Sequence, residues 1–467
     1  MSRINTNIAS LGAITQLNKN NSDLALRLQR LSTGLKINSG KDAPAGLIAS
    51  ETLRSEITGI NQAIDNSTRA GNVINTAEGA LSEVSSVLLE LQGLTNEAAN
   101  SGALSRQEIE ANQLQVDAIL NSVNRIANTT QFNGVKLLNG GLDYTTSGVA
   151  STAIDSFQIN SAKLPDNGYQ TITVQVIASA KVGEVDFTGT TASGPVTIEV
   201  AGNAGTEQLS FASGTATSSI SFAVNQLAGA TGVSSIVSGG TLRFTTTNYG
   251  SDQFVSIKTI NGTFANGKTY GDDATVNING SQAEVHGLVA SVRSGDLDVN
   301  LTLDKDFAQN TATGTTSFTI TGGGARFQIG SQVNRQGQIQ IGVGSVATTK
   351  LGDNITGFLS SLGSGGQNSL LSGNAIQAQK IITEAIGQVA TLRGRLGALQ
   401  KDVLDTNVNS LQVALENVTA SESAIRDADF ASETAALTRS QILVQATTSV
   451  LAQANSSPQQ VLALLGR

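Results

Sequence analysis

The 467-residue chain has no cysteine and no tryptophan, one histidine (His286), one methionine and four prolines. Without cysteine there is no disulfide frame, no thiolate metal site and no cysteine nucleophile. A lone histidine cannot supply a site that needs two within one chain, which removes the two-histidine zinc hydrolases. Charged residues make up 14% of the chain and aromatic residues 4%, where ordinary soluble proteins carry roughly 25% charged residues. The balance of 28 Lys and Arg against 36 Asp and Glu gives a net charge of -8. That sign suits no nucleic acid held on a diffuse cationic surface, so no nucleic-acid partner is expected. Long hydrophobic runs are missing as well: nothing reaches the roughly 18 consecutive apolar residues of a membrane span, and no membrane insertion is expected. The stretch from Met1 to Ile8 lacks the basic cap, apolar core and cleavage site of a secretory signal. The chain is expected either to stay in the cytosol or to leave the cell by a route that needs no cleaved signal.

What is present is unevenly spread. All four Tyr and ten of the thirteen Phe lie between residues 141 and 350. The two ends are therefore built differently from the middle, because a thick core would use more large side chains. In the first arm, Leu17, Leu24, Leu28, Leu31 and Leu35 fall on one helical stripe. The stripe resumes after Pro44 at Leu53, Ile57, Ile60 and Ile64, then runs through Ile74, Leu81, Val84, Leu88, Leu91 and Leu94. With no proline to interrupt it, this predicts one helix of roughly 55 residues, about 80 Å long. A second helix follows a break near Asn100-Ser101-Gly102, and Gln131-Phe132-Asn133-Gly134-Val135-Lys136 reads as a short hairpin. The far arm matches: Ile382, Ile386, Val389, Leu392, Leu396, Leu399 and Val403 step by three and four, and Leu411, Leu415 and Val418 continue the stripe. Helices this long suggest a coiled coil or an assembly rod. The outermost 40 or so residues at each end carry a sparse stripe, marginal for an isolated helix in water, and are expected to order mainly against other copies.

The middle reads as β. Ile172, Val174 and Val176 alternate with Thr171, Thr173 and Gln175, and Leu297, Val299, Leu301 and Leu303 alternate with polar partners. One helical insert is expected over 218–227. The fold class is thus α+β: long N- and C-terminal helices paired as a coiled-coil-like rod, with a β-rich insert between them. Three motifs in the middle could carry chemistry. Gly262-Thr263-Phe264-Ala265-Asn266-Gly267-Lys268-Thr269 satisfies the P-loop pattern, but the helix that must follow is replaced by a strand-like run at 274–278. His286 has no nucleophile near it in sequence. The stretch from Asp272 to Gly280 has calcium-like letters without carboxylates at the required positions. No catalytic, cofactor-binding or metal-binding residue is assigned.

Several long motifs together carry a family resemblance. They are Ile4-Asn5-Thr6-Asn7, then 28–38 (LQRLSTGLKIN), 41–47 (KDAPAGL) and 131–138 (QFNGVKLL), with 424–433 (AIRDADFASE), 452–455 (AQAN) and 458–465 (PQQVLALL) at the other end. In these runs the chain closely resembles bacterial flagellin, over about 140 residues at the start and 95 at the end. Residues around 205–260 look like a repeat inserted in many flagellins.

The resemblance implies a structural, non-enzymatic subunit that polymerises into the flagellar filament for swimming motility. It implies that 1–40 and 430–467 are inner helices, disordered as monomer, that 41–140 and 351–429 form the long-helix layer, and that 141–350 is a variable outer region. Self-assembly and rod packing are then assigned to Leu24, Leu28, Leu31, Leu35, Leu53, Ile57, Ile60, Ile64, Leu88, Leu91, Leu94, Ile386, Val389, Leu396, Leu399, Val403, Leu437, Leu451, Leu462 and Leu465. The expected partners are other flagellin copies, an export chaperone on roughly Leu437 to Leu465, and the filament cap and hook-filament junction proteins. The expected location is extracellular, in the flagellum. Many flagellins are sensed by a vertebrate innate immune receptor through an Arg eleven residues before the Ser of an Ala-Asn-Ser segment. Here Ala99-Asn100-Ser101 sets the register and the position is Glu90, which implies weak receptor activation. Two other readings stay open at this point: a hook-filament junction protein with similar ends, and an adhesin displayed through the β middle.

Overall fold

The computed structural model describes residues 6–100, 102–165, 168–188, 194–309 and 314–465, with side chains described as far as residue 457. Ile4, Asn5 and Ser101 of the motifs above lie outside the described residues, as do the side chains of Leu462 and Leu465. The longer helices are α1 (Ile8–Thr33), α2 (Pro44–Ala98), α3 (Arg106–Thr129), α4 (Thr217–Gln226), α5 (Ala375–Ala398), α6 (Thr406–Arg426) and α7 (Phe430–Leu465). By contact density the chain divides into two compact units. One comprises Met1–Thr68, Ile329–Val333 and Leu404–Arg467, the other Arg69–Gln328 and Asn334–Val403.

In the first unit, local chemistry sets the helix boundaries. Asn7 caps α1, its Oδ1 accepting from the Ser10 N–H at 3.0 Å. Gly34 ends the helix in the left-handed region (φ 73°), returning its N–H to the Arg30 carbonyl at 2.9 Å. Before α2, the Asp42 carboxylate gathers the N–H groups of Asn38 and Ser39 at 3.1 and 2.9 Å. Pro44 then occupies the first helical position, where a missing N–H costs nothing. The linkers on either side pair with each other: Lys36 N–H donates to the Arg426 carbonyl (2.7 Å) and Ala428 N–H to the Gly34 carbonyl (2.9 Å). Those bonds fix where α1 ends relative to where α7 begins.

The second unit buries its helical stripes in the ordinary way. Ile74, Leu81, Val84, Leu88 and Leu91 of α2, Val116 and Val123 of α3, and Ile382, Val389 and Leu396 of α5 are all nearly solvent-free. Arg393 of α5 pairs with Glu78 of α2 at 2.8 Å. A capping box opens α3, with Ser105 and Glu108 satisfying each other's backbone N–H groups. The predicted hairpin is present, and Asn133 and Gly134 both take positive φ (49° and 83°), as a two-residue type I′ turn requires.

The β region holds two cores. In the first, a five-stranded sheet centred on Gln170–Ala178 and Thr315–Gly323 shares buried residues such as Ile172, Phe318 and Leu301 with a four-stranded sheet containing Leu297–Leu303. In the second, a four-stranded sheet containing Val196–Gly202 and Phe254–Asn261 and a three-stranded sheet containing Thr241–Thr246 bury Ile198, Phe244 and Ile257 with Ile220 of α4. The insert-like stretch around 205–260 lies in the second core. Every strand pairing among the described residues is antiparallel.

One expectation needs correcting. The stripe through Leu399 and Val403 does not continue as one α-helix, because a π-helical stretch, Leu399–Asp405, separates α5 from α6. Wider turns there shift the residues that follow. Leu404 becomes the buried residue at 2% exposure, and Val403 is turned outward at 38%. Leu404→Ala is expected to destabilise the protein by about 2 to 4 kcal/mol and Val403→Ala by less than about 1 kcal/mol, measured by denaturant unfolding followed by circular dichroism.

Candidate assembly interface

Helices α1 and α7 pack antiparallel along most of their length, and a line of polar contacts runs through their seam beside half-buried Leu24, Leu31, Leu437 and Leu451. Reading along α1, the Asn7 side chain donates to the Ala454 carbonyl (2.7 Å) and Ser10 Oγ to Asn455 Oδ1 (2.7 Å). The Asn20 amide reaches the Leu443 carbonyl and Thr447 Oγ1 at 3.3 Å each, and Ser440 Oγ donates to Asp23 Oδ2 at 2.5 Å. At the far end Arg27 and Arg30 each send one guanidinium nitrogen to a different oxygen of Glu433, at 2.9 and 3.0 Å. The α7 side of this seam repeats every seven residues: Glu433, Ser440, Thr447 and Ala454. That is a coiled-coil period. Residues usually apolar at such positions are here small or hydrogen-bonding.

The outside of the pair is the reverse. Ile8, Leu11, Ile14 and Leu28 on α1 and Phe430, Ile442, Leu443 and Val450 on α7 are exposed, Ile8 to 64% and Phe430 to 70%. Soluble monomers seldom leave so many large apolar side chains on two neighbouring helices; such a surface marks an interaction site.

The electrostatics of the seam centre on Glu433, whose side chain is 11% exposed. Desolvation pushes its carboxyl up, but hydrogen bonds and charges from Arg27 and Arg30 outweigh that and hold it below the usual carboxylate range. The Arg27 guanidinium is raised in turn, chiefly by its hydrogen bond to Glu433, with Asp23 adding at 3.3 Å.

The assigned stripe residues fall into distinct environments. Leu24, Leu31, Leu35, Leu53, Ile57, Ile64, Ile386, Leu399, Leu437 and Leu451 are half-buried, and Ile60, Leu88, Leu91, Leu94, Val389 and Leu396 are buried. Leu28 is 51% exposed, because the seam of α1 runs through Asn20, Asp23, Arg27 and Arg30, one residue out of step with Leu24, Leu28 and Leu31. Glu90 is exposed on α2, four residues before the buried Leu94. Apolar periodicity missed Arg27, Arg30 and Glu433. The signal that would find them is the polar spacing 20, 23, 27, 30 itself.

The motifs of the middle form no comparable site. The Gly262–Thr269 run joins two strands, Phe254–Asn261 and Gly267–Tyr270, and no helix follows. Its Asn266 side chain accepts from Thr259 N–H at 2.6 Å, and Lys268 lies over the Phe254 ring at 4.4 Å. His286 is an exposed side chain between Asp252 (4.0 Å) and Glu284 (3.6 Å). Among the described residues no group of three or more His, Cys, Asp or Glu is placed to hold a metal ion, and no helix is long and apolar enough to cross a membrane.

A depressed carboxylate contributes stability above its unfolded pKa, near about 4.3 for Glu, and loses it as pH falls through the folded value. The α1–α7 pair is therefore expected to weaken below about pH 4. Glu433→Gln should weaken it at pH 7 and flatten that acid dependence, read by circular dichroism of the assembled protein across pH 7 to 3.

Comparison with known proteins places both terminal helical regions in one family. Residues 4–142 match the family model described as the bacterial flagellin N-terminal helical region, and residues 379–465 the one described as the bacterial flagellin C-terminal helical region. The chain is 32% identical over 510 residues to the B-type flagellin of Pseudomonas aeruginosa and 31% identical over 509 residues to a flagellin of Salmonella typhimurium, covering 99% of each chain in both cases. Among solved structures, the flagellar junction protein FlgL of Legionella pneumophila aligns with 81% of this chain and 99% of its own at 14% identity, with a TM-score of 0.28. With both terminal regions matched and full-length relatives above 30% identity, the chain belongs to the bacterial flagellins.

Proposed function

We propose that the α1–α7 pair is the polymerising element of this flagellin, a structural subunit of the bacterial flagellar filament. The observation that carries the reading is the apolar exterior of that pair, set against its polar seam. Covering one Leu or Ile gains about 1.5 to 3 kcal/mol, whereas a typical hydrogen bond nets about 1 kcal/mol. The outer face is thus where association gains most, and the seam gives direction. Contacts that join different faces of successive copies and do not close a ring extend into an open helical polymer.

On this reading 1–40 and 430–467 form the innermost layer and are disordered until they assemble, 41–140 and 351–429 form the next layer, and 141–350 faces outward. Ile442, Leu443 and Val450 on α7 give an export chaperone an apolar face to hold, over roughly Leu437 to Leu465, before the chain leaves the cell. Cap and hook-filament junction proteins are the expected neighbours at the two filament ends. Glu90 replaces a cationic position that the immune receptor reads in many flagellins, and a carboxylate cannot reproduce a guanidinium's donor fork.

Two outcomes test these readings. Deleting residues 430–467, or replacing Leu11 and Ile442 together by Ser, is expected to abolish filaments in electron microscopy while the second unit stays folded by protease resistance. Filaments of normal diameter from either variant would overturn the assignment. In a receptor-reporter assay with monomer, Glu90→Arg is expected to raise potency by about tenfold or more, and equal potency of the two proteins would sink that proposal.

A further inference from the structure

We propose that Arg27, Arg30 and Glu433 form the specificity key of the terminal helices, selecting α1 against α7 in one axial register and rejecting pairings of like with like. The need for a key follows from the seam. With Ser440, Thr447 and Ala454 at seven-residue steps, α7 presents small side chains that are nearly interchangeable, and a slip of one heptad would cost little there. Glu433 breaks that degeneracy. One slip carries its carboxylate from Arg27 and Arg30 to Asp23 and Asn20, opposite a like charge. The other carries it past Arg30 to Gly34 and leaves both guanidinium groups facing Ser440.

Homotypic pairs fail by the same logic. Two copies of α7 paired in parallel and in register would set Glu433 against Glu433, and two parallel copies of α1 would crowd four guanidinium groups with Asp23 the one carboxylate each helix brings to the cluster. Like charges set together in an interface strongly disfavour the pairing that brings them there, which makes rejection as effective as attraction. The cluster is also not built for greatest stability: the Nε atoms of both Arg27 and Arg30 are buried without a hydrogen-bond partner. A polar contact retained at a cost in stability is a known device for fixing register.

The absence of cysteine makes the register directly readable in the full chain. Ser10→Cys with Asn455→Cys reports the native register, since those side chains already touch at 2.7 Å. Ser10→Cys with Thr448→Cys reports the one-heptad slip that sets Glu433 against Asp23. Under mild oxidation the native pair is expected to cross-link at least about tenfold more than the slipped pair. Adding Glu433→Arg should erase that preference and block polymerisation, and adding Arg30→Glu to it should restore both, because Arg27 keeps Asp23 as its partner. Glu433→Gln, of nearly the same shape, should lie between the two.

An unchanged cross-link preference in Glu433→Arg, or a loss that Arg30→Glu does not repair, would overturn the key. Its bearing on polymerisation rests on the reading of α1–α7 as the polymerising element. The two fail differently: if the key holds by cross-linking but Leu11→Ser with Ile442→Ser still gives filaments, the polymerising role is what falls.

Discussion

A helix pair with a line of hydrogen bonds and charges inside and residues such as Ile8, Leu11, Phe430 and Ile442 outside is in the wrong solvent as long as it stands alone in water. Everything distinctive about the ends of this chain follows from that inversion. The seam between α1 and α7 is held by directional contacts from Asn7, Ser10, Asn20, Asp23, Arg27 and Arg30, each modest in net energy. Much of the apolar surface that would make the pair stable faces outward, and in the proposed polymer neighbouring copies would supply the missing burial. On the proposed reading, assembly and folding of these segments are one process, and the stability of the ends rises with subunit concentration.

The second unit obeys the opposite rule. Its stripes on α2, α3 and α5 and its two β cores bury their large side chains within the chain, from Leu88 and Leu91 to Phe244 and Phe318. Nothing in those cores requires another copy. The contrast explains the uneven use of aromatic residues: self-contained β cores are filled by Phe and Tyr, whereas paired helices need little volume between them.

Much of this was legible in the sequence. The 55-residue helix from Pro44, the hairpin at Asn133-Gly134 and the alternation of Ile172, Val174 and Val176 are all present as read. Local signals set them: a proline at a helix start, residues that tolerate positive φ, and a period of two. What stayed hidden depended on contacts far apart in sequence. Hydrophobic periodicity pointed to Leu28, and the structure turns it outward because the polar stripe, one residue out of step, is the one that pairs with α7. The π-helical stretch after Ala398 was invisible for a different reason. Stepping by three and four residues is preserved through Val403, and no residue type marks where the turn widens.

The bond from Asn7 to Ala454 joins residues 447 positions apart. Closing a flexible loop of that length costs on the order of 5 kcal/mol in chain entropy, several times what one such bond returns. Pairing of the first and last helices is therefore a poor nucleus for folding, and it becomes favourable once the residues between them have shortened the path. Pairing of the two ends is thus favoured only after the rest of the chain has folded, and in the proposed polymer the segments that join neighbouring subunits are the ones that close last.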